Sequence, residues 1–486
     1  MTAIDEAILS PTIAAILLAA FSVLWVFLGW LWGRKNKDLD DYMLAGRKVG
    51  LALGTATAMA TWVTSNTTMV APQLAYQMGI WGMVGYSLGS VGLLLFAPMA
   101  SRIRRLMPSG YTSGDFIRLR YGKTPWRIFL GISIFYSFGW LISLGMAGGI
   151  LINALSGIDY WIGMTVILTI CVAYTLMGGL RAVIGTDFIQ TIVIVVGVVA
   201  LGYLTLQRVG FEEVHQNLVS KRPELLNLLM PAAIMFLFNN LLFGMGEIFH
   251  SNVWWSRAFA FGKGVGFKAY LLAGLFWTPI PIAAGFTALA APSLDLNVPQ
   301  ADMVAPLIAA RLLGSLGAIL VFVVVFSALA SSLDSLLAAT GDLIVEDIYH
   351  KHIHPEASKP TLRRAAWVIT LLLGVGTWLV CLFRLTTLGS LLHFTGAFVA
   401  STIGPIVLGL YWRKTNPSAA GWAMFFGSLS GFVAYFQIGF YVAALIGAAV
   451  SMLVVSGGTL IRPGDFRWRD LEEEDIPEES QEAKAA

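Results

Sequence analysis

Thirteen stretches of this 486-residue chain are apolar and long enough to cross a bilayer, and that repetition limits its fold more than any other feature. They run roughly over 11–33, 50–77, 80–100, 126–153, 159–178, 182–205, 227–250, 266–290, 315–349, 362–384, 388–412, 417–436 and 439–461. As helices, each covers about 30 Å of hydrocarbon. Backbone N–H and C=O groups must bond inside the protein at that depth, and helices do so within each span. The expectation is an all-α polytopic membrane protein of about 13 transmembrane helices. A net charge of +3 is too small to suggest nucleic acid. Cys171 and Cys381 both fall inside apolar spans, so no disulfide framework is expected.

Charges between the spans set an orientation. Asp5 and Glu6 precede the first span, Arg34, Lys35 and Lys37 follow it, and no small-residue cleavage site ends it. That order predicts a retained helix with its N-terminus outside, rather than a signal peptide. With alternate loops assigned inside on this basis, 26 of the 31 Lys and Arg residues are cytoplasmic, including Arg257 in the segment 257–268. Arg208, Lys221, Arg222, Arg311 and Arg384 remain outside. The predicted location is the plasma (inner) membrane. The stretch LEEEDIPEESQEAKAA closes an acidic segment from Pro463, read as disordered and cytoplasmic, and too short for a kinase or nucleotide-binding domain.

Two spans are interrupted. The second has a polar middle from Thr61 to Thr68, and the seventh carries Gly244, Gly246, Glu247 and His250 within one short interval. Non-helical backbone at membrane depth is tolerated where it lines a cavity, and paired interruptions point to a transporter's binding site. These two open blocks of five spans each, 50–205 and 227–412, and an odd number of helices forces the second block to insert inverted. The predicted units are an extra N-terminal helix (1–33), a core (34–412), two C-terminal helices (413–461) and the tail (462–486).

The ninth span ends in SALASSLDSLLAATGDLIVEDIY, residues 327–349. At roughly 100° per residue, Ser327, Ala328, Ser331, Ser332, Asp334, Ser335, Ala339 and Asp342 fall within an arc of about 160°. Leu329, Leu333, Leu336 and Leu337 occupy the other side. One face thus offers hydroxyl and carboxylate oxygens to a hard cation. Alternatively, the serines permit close helix packing and Asp334 is a satisfied structural acid.

Four further segments join this helix in resembling one family. DDYMLAGRKVG (40–50), GGLRAVIGTDFIQ (178–190), SNVWWSRAFA (251–260) and GPIVLGLYWRKTNPSAAGWAMFFGSLSG (404–431) are similar to motifs of the sodium:solute symporter family, and span residues 40 to 435. The resemblance implies a LeuT-like 5+5 inverted repeat with one extra N-terminal and two C-terminal helices. Carried over by residue, it implies a sodium site of backbone oxygens at Ala60, Val63 and Ala328 with the hydroxyls of Ser331 and Ser332. Asp187 matches an acid used on the sodium exit route or at a second site. Asp334 departs from the pattern, which usually has Ala or Ser there. Asp187, Asp334 and Ser335 are therefore candidates for a second cation or a proton, with an Asp334 pairing to a helix terminus or basic side chain as the alternative.

The solute cavity is expected between the interruptions, at Trp62, Ser65, Asn66, Thr67, Glu247, Asn252, Trp254 and Trp255. The resemblance favours the urea-transporting branch, although Ser251 replaces an expected acid and that branch's extra C-terminal helices are missing. Proline or another small zwitterion is the second choice, with Glu247 as its amine partner. The implied function is sodium-coupled symport by alternating access, with sodium, a small solute and the bilayer as partners. A proton-coupled transporter, a channel and a solute-sensing receptor remain open. No Ser/His/Asp, HExxH or nucleotide-loop pattern supports an enzyme. The alternating histidines of YHKHIHPE (349–356) read as a solvated loop rather than a metal site, and His393 as a hydrogen-bonded core residue.

Overall fold

The structure, a computed structural model, describes residues 9–34 and 38–473. Asp5, Glu6, Lys35, Lys37 and residues 474–486 of the acidic tail lie outside the described residues. In chain order the elements used below are α1 (Pro11–Gly33), α2 (Leu51–Trp62), α3 (Ser65–Met78), α4 (Ser90–Leu106), α5 (Ser113–Tyr121), α6 (Lys123–Ser156), α7 (Tyr160–Val209) and α8 (Pro231–His250). They continue with α9 (Asn252–Ala260), α10 (Val265–Trp277), α11 (Val304–Ile344), α12 (Lys359–Cys381), α13 (Leu388–Val399), α14 (Pro417–Gln437) and α15 (Ala443–Ile461). A π-helical stretch, Val345–Ile353, extends α11 and carries two of the three histidines expected in a loop.

Among the described residues eleven helices are long and apolar enough to cross a membrane, where thirteen spans are expected. Two features account for the difference. Spans five and six run together as the 50-residue α7, which turns at Gly179 (φ 56°). Positive φ suits glycine, and a Cβ there would sit 2.5 Å from the Tyr42 carbonyl oxygen. Span two is divided into α2 and α3, each too short to cross alone.

The first division follows from residue chemistry. Thr64, Ser65, Asn66, Thr67 and Thr68 compete with helical hydrogen bonding and favour caps. Val63 leaves the helical region (φ −83°, ψ 79°) and Thr64 is extended. The Thr64 hydroxyl accepts from the Thr67 N–H (3.1 Å), while the Thr67 hydroxyl accepts from the Thr64 N–H (3.2 Å), a reciprocal cap that starts α3.

The second division differs from the expectation. α8 continues through Gly244 and Gly246 to His250, and the chain breaks at Ser251 (φ −68°, ψ 131°), whose hydroxyl accepts from the Val253 N–H (3.4 Å). The glycines serve packing instead. A Cβ on Gly244 would lie 2.6 Å from Gly89 Cα, and one on Gly92 would lie 2.6 Å from the Gly244 carbonyl oxygen. The start of α4 and α8 thus approach backbone to backbone, as small residues allow within a bilayer.

α2, α3, α8, α9 and α11 form the centre. α11 packs on α7, α6 and α3, α10 covers α2 and α4, and α14 and α15 pair with each other beside α13. The N-terminal helix is peripheral: α1 buries only Ala14, Leu18, Trp25, Gly29 and Gly33, a single stripe laid on α7.

Gly244→Val forces overlap with Gly89 and is expected to cost about 1–3 kcal/mol or more. Gly457→Val, where no atom lies within 4 Å of the added Cβ, should stay within about 0.5 kcal/mol of the parent. Thermal unfolding of the detergent-purified variants checks the pair.

Candidate functional site

The break after Trp62 leaves the last carbonyls of α2 without their own helical donors. It brings Thr61 against the serine face of α11, where its hydroxyl meets that of Ser335 (3.1 Å). The Ser332 hydroxyl is within bonding distance of the carbonyl of Thr61 (3.2 Å), between Ala60 and Val63 on α2, and of that of Ala328 (2.9 Å) on its own helix, so α2 and α11 meet next to the expected sodium set. Ala60, Val63, Ala328, Ser331 and Ser332 are all buried. Together they supply carbonyl and hydroxyl oxygens with no fixed charge, a donor set suited to a hard monovalent cation.

Beside this set lies a fully buried polar cluster whose centre is Arg257, on α9. Its Nε donates to Thr57 Oγ1 (3.0 Å) and its Nη2 to Thr61 Oγ1 (2.7 Å) and Ser335 Oγ (2.7 Å). Nη2 also reaches Asp187 Oδ2 at 3.4 Å, and Nη1 donates to the Val253 carbonyl (3.0 Å). Asp187 accepts further bonds from Thr57 (2.5 Å) and from Ser331. Arg257 and Asp187 are both wholly inaccessible to solvent. Arg257 is therefore a membrane-buried residue and not the loop cation of the charge count. Three residues absent from the sequence-based candidates, Thr57, Thr61 and Arg257, join Asp187 and Ser335 in one network.

Asp334 stands apart from that network. It is buried, Asp187 and Arg257 are its charged neighbours, and although the Tyr174 hydroxyl and Ser335 N–H lie close, neither carboxylate oxygen has a well-formed hydrogen bond among the described residues. Tyr174 faces it but donates its hydroxyl proton to the Ala330 carbonyl (2.9 Å).

A small cavity lies on the other side of Trp62, lined by Trp62, Thr64, Asn66, Tyr86, Tyr136, Trp140, Phe243 and Leu392, and encloses about 10 Å³, room for a single water. Trp62 meets Trp254 (5.6 Å) and Trp140 (6.1 Å) edge to face and stacks on Trp277 (5.7 Å). The Trp62 Nε1–H, the Asn66 Nδ2 amine and the Tyr136 hydroxyl are buried without partners. Asn66 Oδ1 accepts from Ser143 (3.0 Å), which directs its amine elsewhere. No charged side chain lines this cavity.

Apart from Ser65, whose buried hydroxyl has no partner, the remaining solute candidates have internal partners. Trp254 Nε1 donates to both Glu247 oxygens (3.1 and 3.0 Å), and Trp255 Nε1 to the Phe249 carbonyl (2.6 Å). Thr67 Oγ1 donates to the Trp62 carbonyl (3.0 Å), and Ser65 opens α3 at its first position. Asn252 accepts from the Ser113 N–H (3.0 Å) and donates to the Ala339 carbonyl (2.9 Å), tying α9 to α5 and α11. Next to that tie, Asp347 accepts from Thr112 (2.6 Å), Trp126 Nε1 (3.0 Å) and Lys351 (3.2 Å), and Lys351 also pairs with Asp115. Burial works against the Asp115 carboxylate. Lys351 and the Tyr111 and Thr112 N–H groups outweigh it and hold its pKa below the usual range. Its contribution is thus complete at neutral pH and lost only as strong acid protonates it. No cluster of three or more metal-binding side chains occurs among the described residues, and His393 bonds the Gly389 carbonyl (2.7 Å).

Comparison with known proteins matches residues 42–427 to the sodium:solute symporter family. The chain is 27% identical to the urea-proton symporter DUR3 of Oryza sativa subsp. japonica, over 93% of this chain and 70% of that one. It is 25% identical to the urea active transporter of Saccharomyces cerevisiae, over 83% of this chain and 60% of that one, so it spans less than two thirds of the yeast protein. It is also 25% identical to the osmoregulated proline transporter OpuE of Bacillus subtilis, over 90% and 94% of the two chains. Among solved structures, a Na+-coupled sialic acid symporter in an outward-open state superposes with a TM-score of 0.78 at 17% identity, covering 94% of this chain and 99% of that one. MhsT in complex with L-phenylalanine gives a TM-score of 0.53 at 14% identity, over 84% and 98%. These two show a shared LeuT-like fold.

Arg257→Met would leave Asp187 charged and uncompensated, and should destabilise the protein by about 3–5 kcal/mol. Adding Asp187→Asn should restore most of that loss. A double-mutant cycle by thermal unfolding measures the coupling. Additive losses would show that the two charges act separately.

Proposed function

Because this chain belongs to the sodium:solute symporter family, we propose that it carries urea, or a small neutral solute like it, into the cell with sodium by alternating access. It is a multi-pass membrane transporter and not an enzyme. The observation that carries the solute assignment is the uncharged cavity at Trp62, with three unspent donors and aromatic walls. In this conformation the cavity is closed to about the size of one water; when it widens in the transport cycle, a carbonyl solute satisfies those donors and lies against the indoles. A zwitterion would also require charged partners, and Glu247 is already engaged by Trp254. The similar urea transporters of rice and yeast support urea, whereas the similar proline transporter keeps proline as the second reading.

In this proposal sodium is held by the carbonyls of Ala60, Val63 and Ala328 and the hydroxyls of Ser331 and Ser332. Arg257 already supplies a positive charge to Asp187, which leaves Asp334, with Asp187 and Ser335 near it, as the acid for a second cation or a proton. Segments 50–205 and 227–412 act as the two repeats of a 34–412 core, with the N-terminus outside and the C-terminus cytoplasmic. The Asn252 link closes the inner side and parts when α9 moves, while the Asp347 contacts hold the end of α11 to α5 and α6 beside it. One sodium ion falling through 100 mV and a tenfold gradient supplies about 2.3 plus 1.4 kcal/mol. That suffices for accumulation of a neutral solute by several hundredfold.

Thermal-shift and radiolabelled uptake measurements with urea, proline, sugars and short carboxylates, each in sodium and in choline, test the proposal. Urea should raise the midpoint in sodium alone, as linkage requires. Ser332→Ala should raise the half-saturating sodium concentration about tenfold, the worth of one lost ligand. Asn66→Ala should weaken urea about tenfold while leaving the sodium-dependent shift intact. A proline response would move the assignment to the second reading. Uptake driven in choline by a pH gradient would transfer the coupling to protons, and a solute-dependent shift without uptake would indicate a receptor.

A further inference from the structure

Apart from the transport sites, one groove on the outer surface combines two charges with an apolar floor. It lies where the end of α1, the middle of α7 and the start of α12 meet, and encloses about 810 Å³. Met177, Val368 and Leu371 line it and are 42%, 56% and 50% exposed. Arg34 and Arg363 stand at its rim. The Arg34 guanidinium lies 5.2 Å from the Trp30 ring, and that of Arg363 lies 5.5 Å from Trp367 and 5.6 Å from Tyr42. Among the described residues neither arginine forms a salt bridge, and the buried Arg363 Nε–H has no hydrogen-bond partner.

Rings satisfy a guanidinium from above its plane but leave its in-plane N–H groups unused. The complement to this surface must bring oxygen acceptors and negative charge to the rim and hydrocarbon to the floor. A free phosphate meets the first need and leaves the apolar floor bare. A neutral lipid meets the second and leaves two cations uncompensated. Basic pockets between membrane helices are the setting in which acidic headgroups bind. The tryptophans fit the same depth, since indoles favour the boundary between headgroups and hydrocarbon.

We propose that this groove seats one anionic phospholipid, its phosphate bonded by Arg34 and Arg363 and an acyl chain laid along Met177, Val368 and Leu371. The seat would also hold the peripheral helix in place. α1 touches the core through one stripe, and at its end a Cβ on Gly33 would come within 2.5 Å of the Met177 carbonyl oxygen. A lipid bridging Arg34 on α1 to Arg363 on α12 fastens that end without widening the approach.

The test uses the full chain, delipidated and then returned to nanodiscs of palmitoyl-oleoyl phosphatidylcholine with increasing palmitoyl-oleoyl phosphatidylglycerol. Native mass spectrometry counts retained lipid, and thermal unfolding measures its effect. One phosphatidylglycerol should remain per chain and raise the midpoint, whereas inorganic phosphate at matched concentration should not. Arg34→Gln with Arg363→Gln should weaken phosphatidylglycerol by roughly tenfold or more. Arg363→Lys, which keeps the charge and loses the Nε–H, should fall between, and provides a second readout if the double variant does not fold. Lys268→Gln, an exposed cation outside the groove, should bind as the parent does. Equal retention by the double variant, equal loss in Lys268→Gln, or full protection by inorganic phosphate would each overturn the proposal.

Discussion

The centre of this protein depends on one buried guanidinium. Arg257 reaches from α9 to Thr57 and Thr61 on α2, Asp187 on α7 and Ser335 on α11, so one side chain joins four helices around the expected ion site. Isolated charge at membrane depth is costly, and Arg257 offsets that cost by donating to several oxygens at once. The same economy constrains Asp187, which faces Arg257, Thr57 and Ser331 together. Movement of α9 therefore cannot be local. It must exchange donors for hydroxyls that line the ion site, which couples a swing of the second broken helix to the first.

The sequence made much of this legible because polarity at membrane depth is conspicuous. The Thr61–Thr68 run declared its break, and the serines of α11 declared one oxygen-rich face. Arg257 was missed because a cation beyond an apparent span end resembles a loop cation. The available signal was its setting: Val253, Trp254 and Ala260, at i−4, i−3 and i+3 from Arg257, are all apolar, and the polar Asn252 and Ser256 lie off that face, so exposure of Arg257 had nothing to support it. Gly244 and Gly246 misled in the opposite sense. Glycine permits both a break and a close approach, and a single sequence does not distinguish them. Only the positions of Gly89, Gly92 and Ala400 across the interface decide for packing.

The tryptophans illustrate a related ambiguity. An indole can wall a cavity, donate to a buried carboxylate or anchor a helix, and the pair Trp254–Trp255 donates internally through both rings. Trp62 instead presents an unspent donor to the small cavity, beside those of Asn66 and Tyr136, with Trp140 completing the wall. Tyr86 and Tyr136 also line it, though neither residue lies within an interrupted span. They come from segments whose sequence reads as ordinary membrane helix, and only folding brings them in.

The arrangement of the first break suggests how ion and solute sense one another. Thr61 and Trp62 are adjacent, yet the Thr61 carbonyl meets Ser332 at the proposed ion site while the Trp62 ring walls the proposed solute cavity. The Trp62 carbonyl is held by Thr67, so this turn has little freedom to satisfy one side independently of the other. Ordering it with a cation lowers the entropy cost of presenting Trp62 and Asn66 to a solute, and the reverse holds equally. Coupling then needs no long pathway. On the proposed assignment, two consecutive residues at the end of the first half-helix belong one to each site, and the free energy of filling either would be carried through their shared backbone.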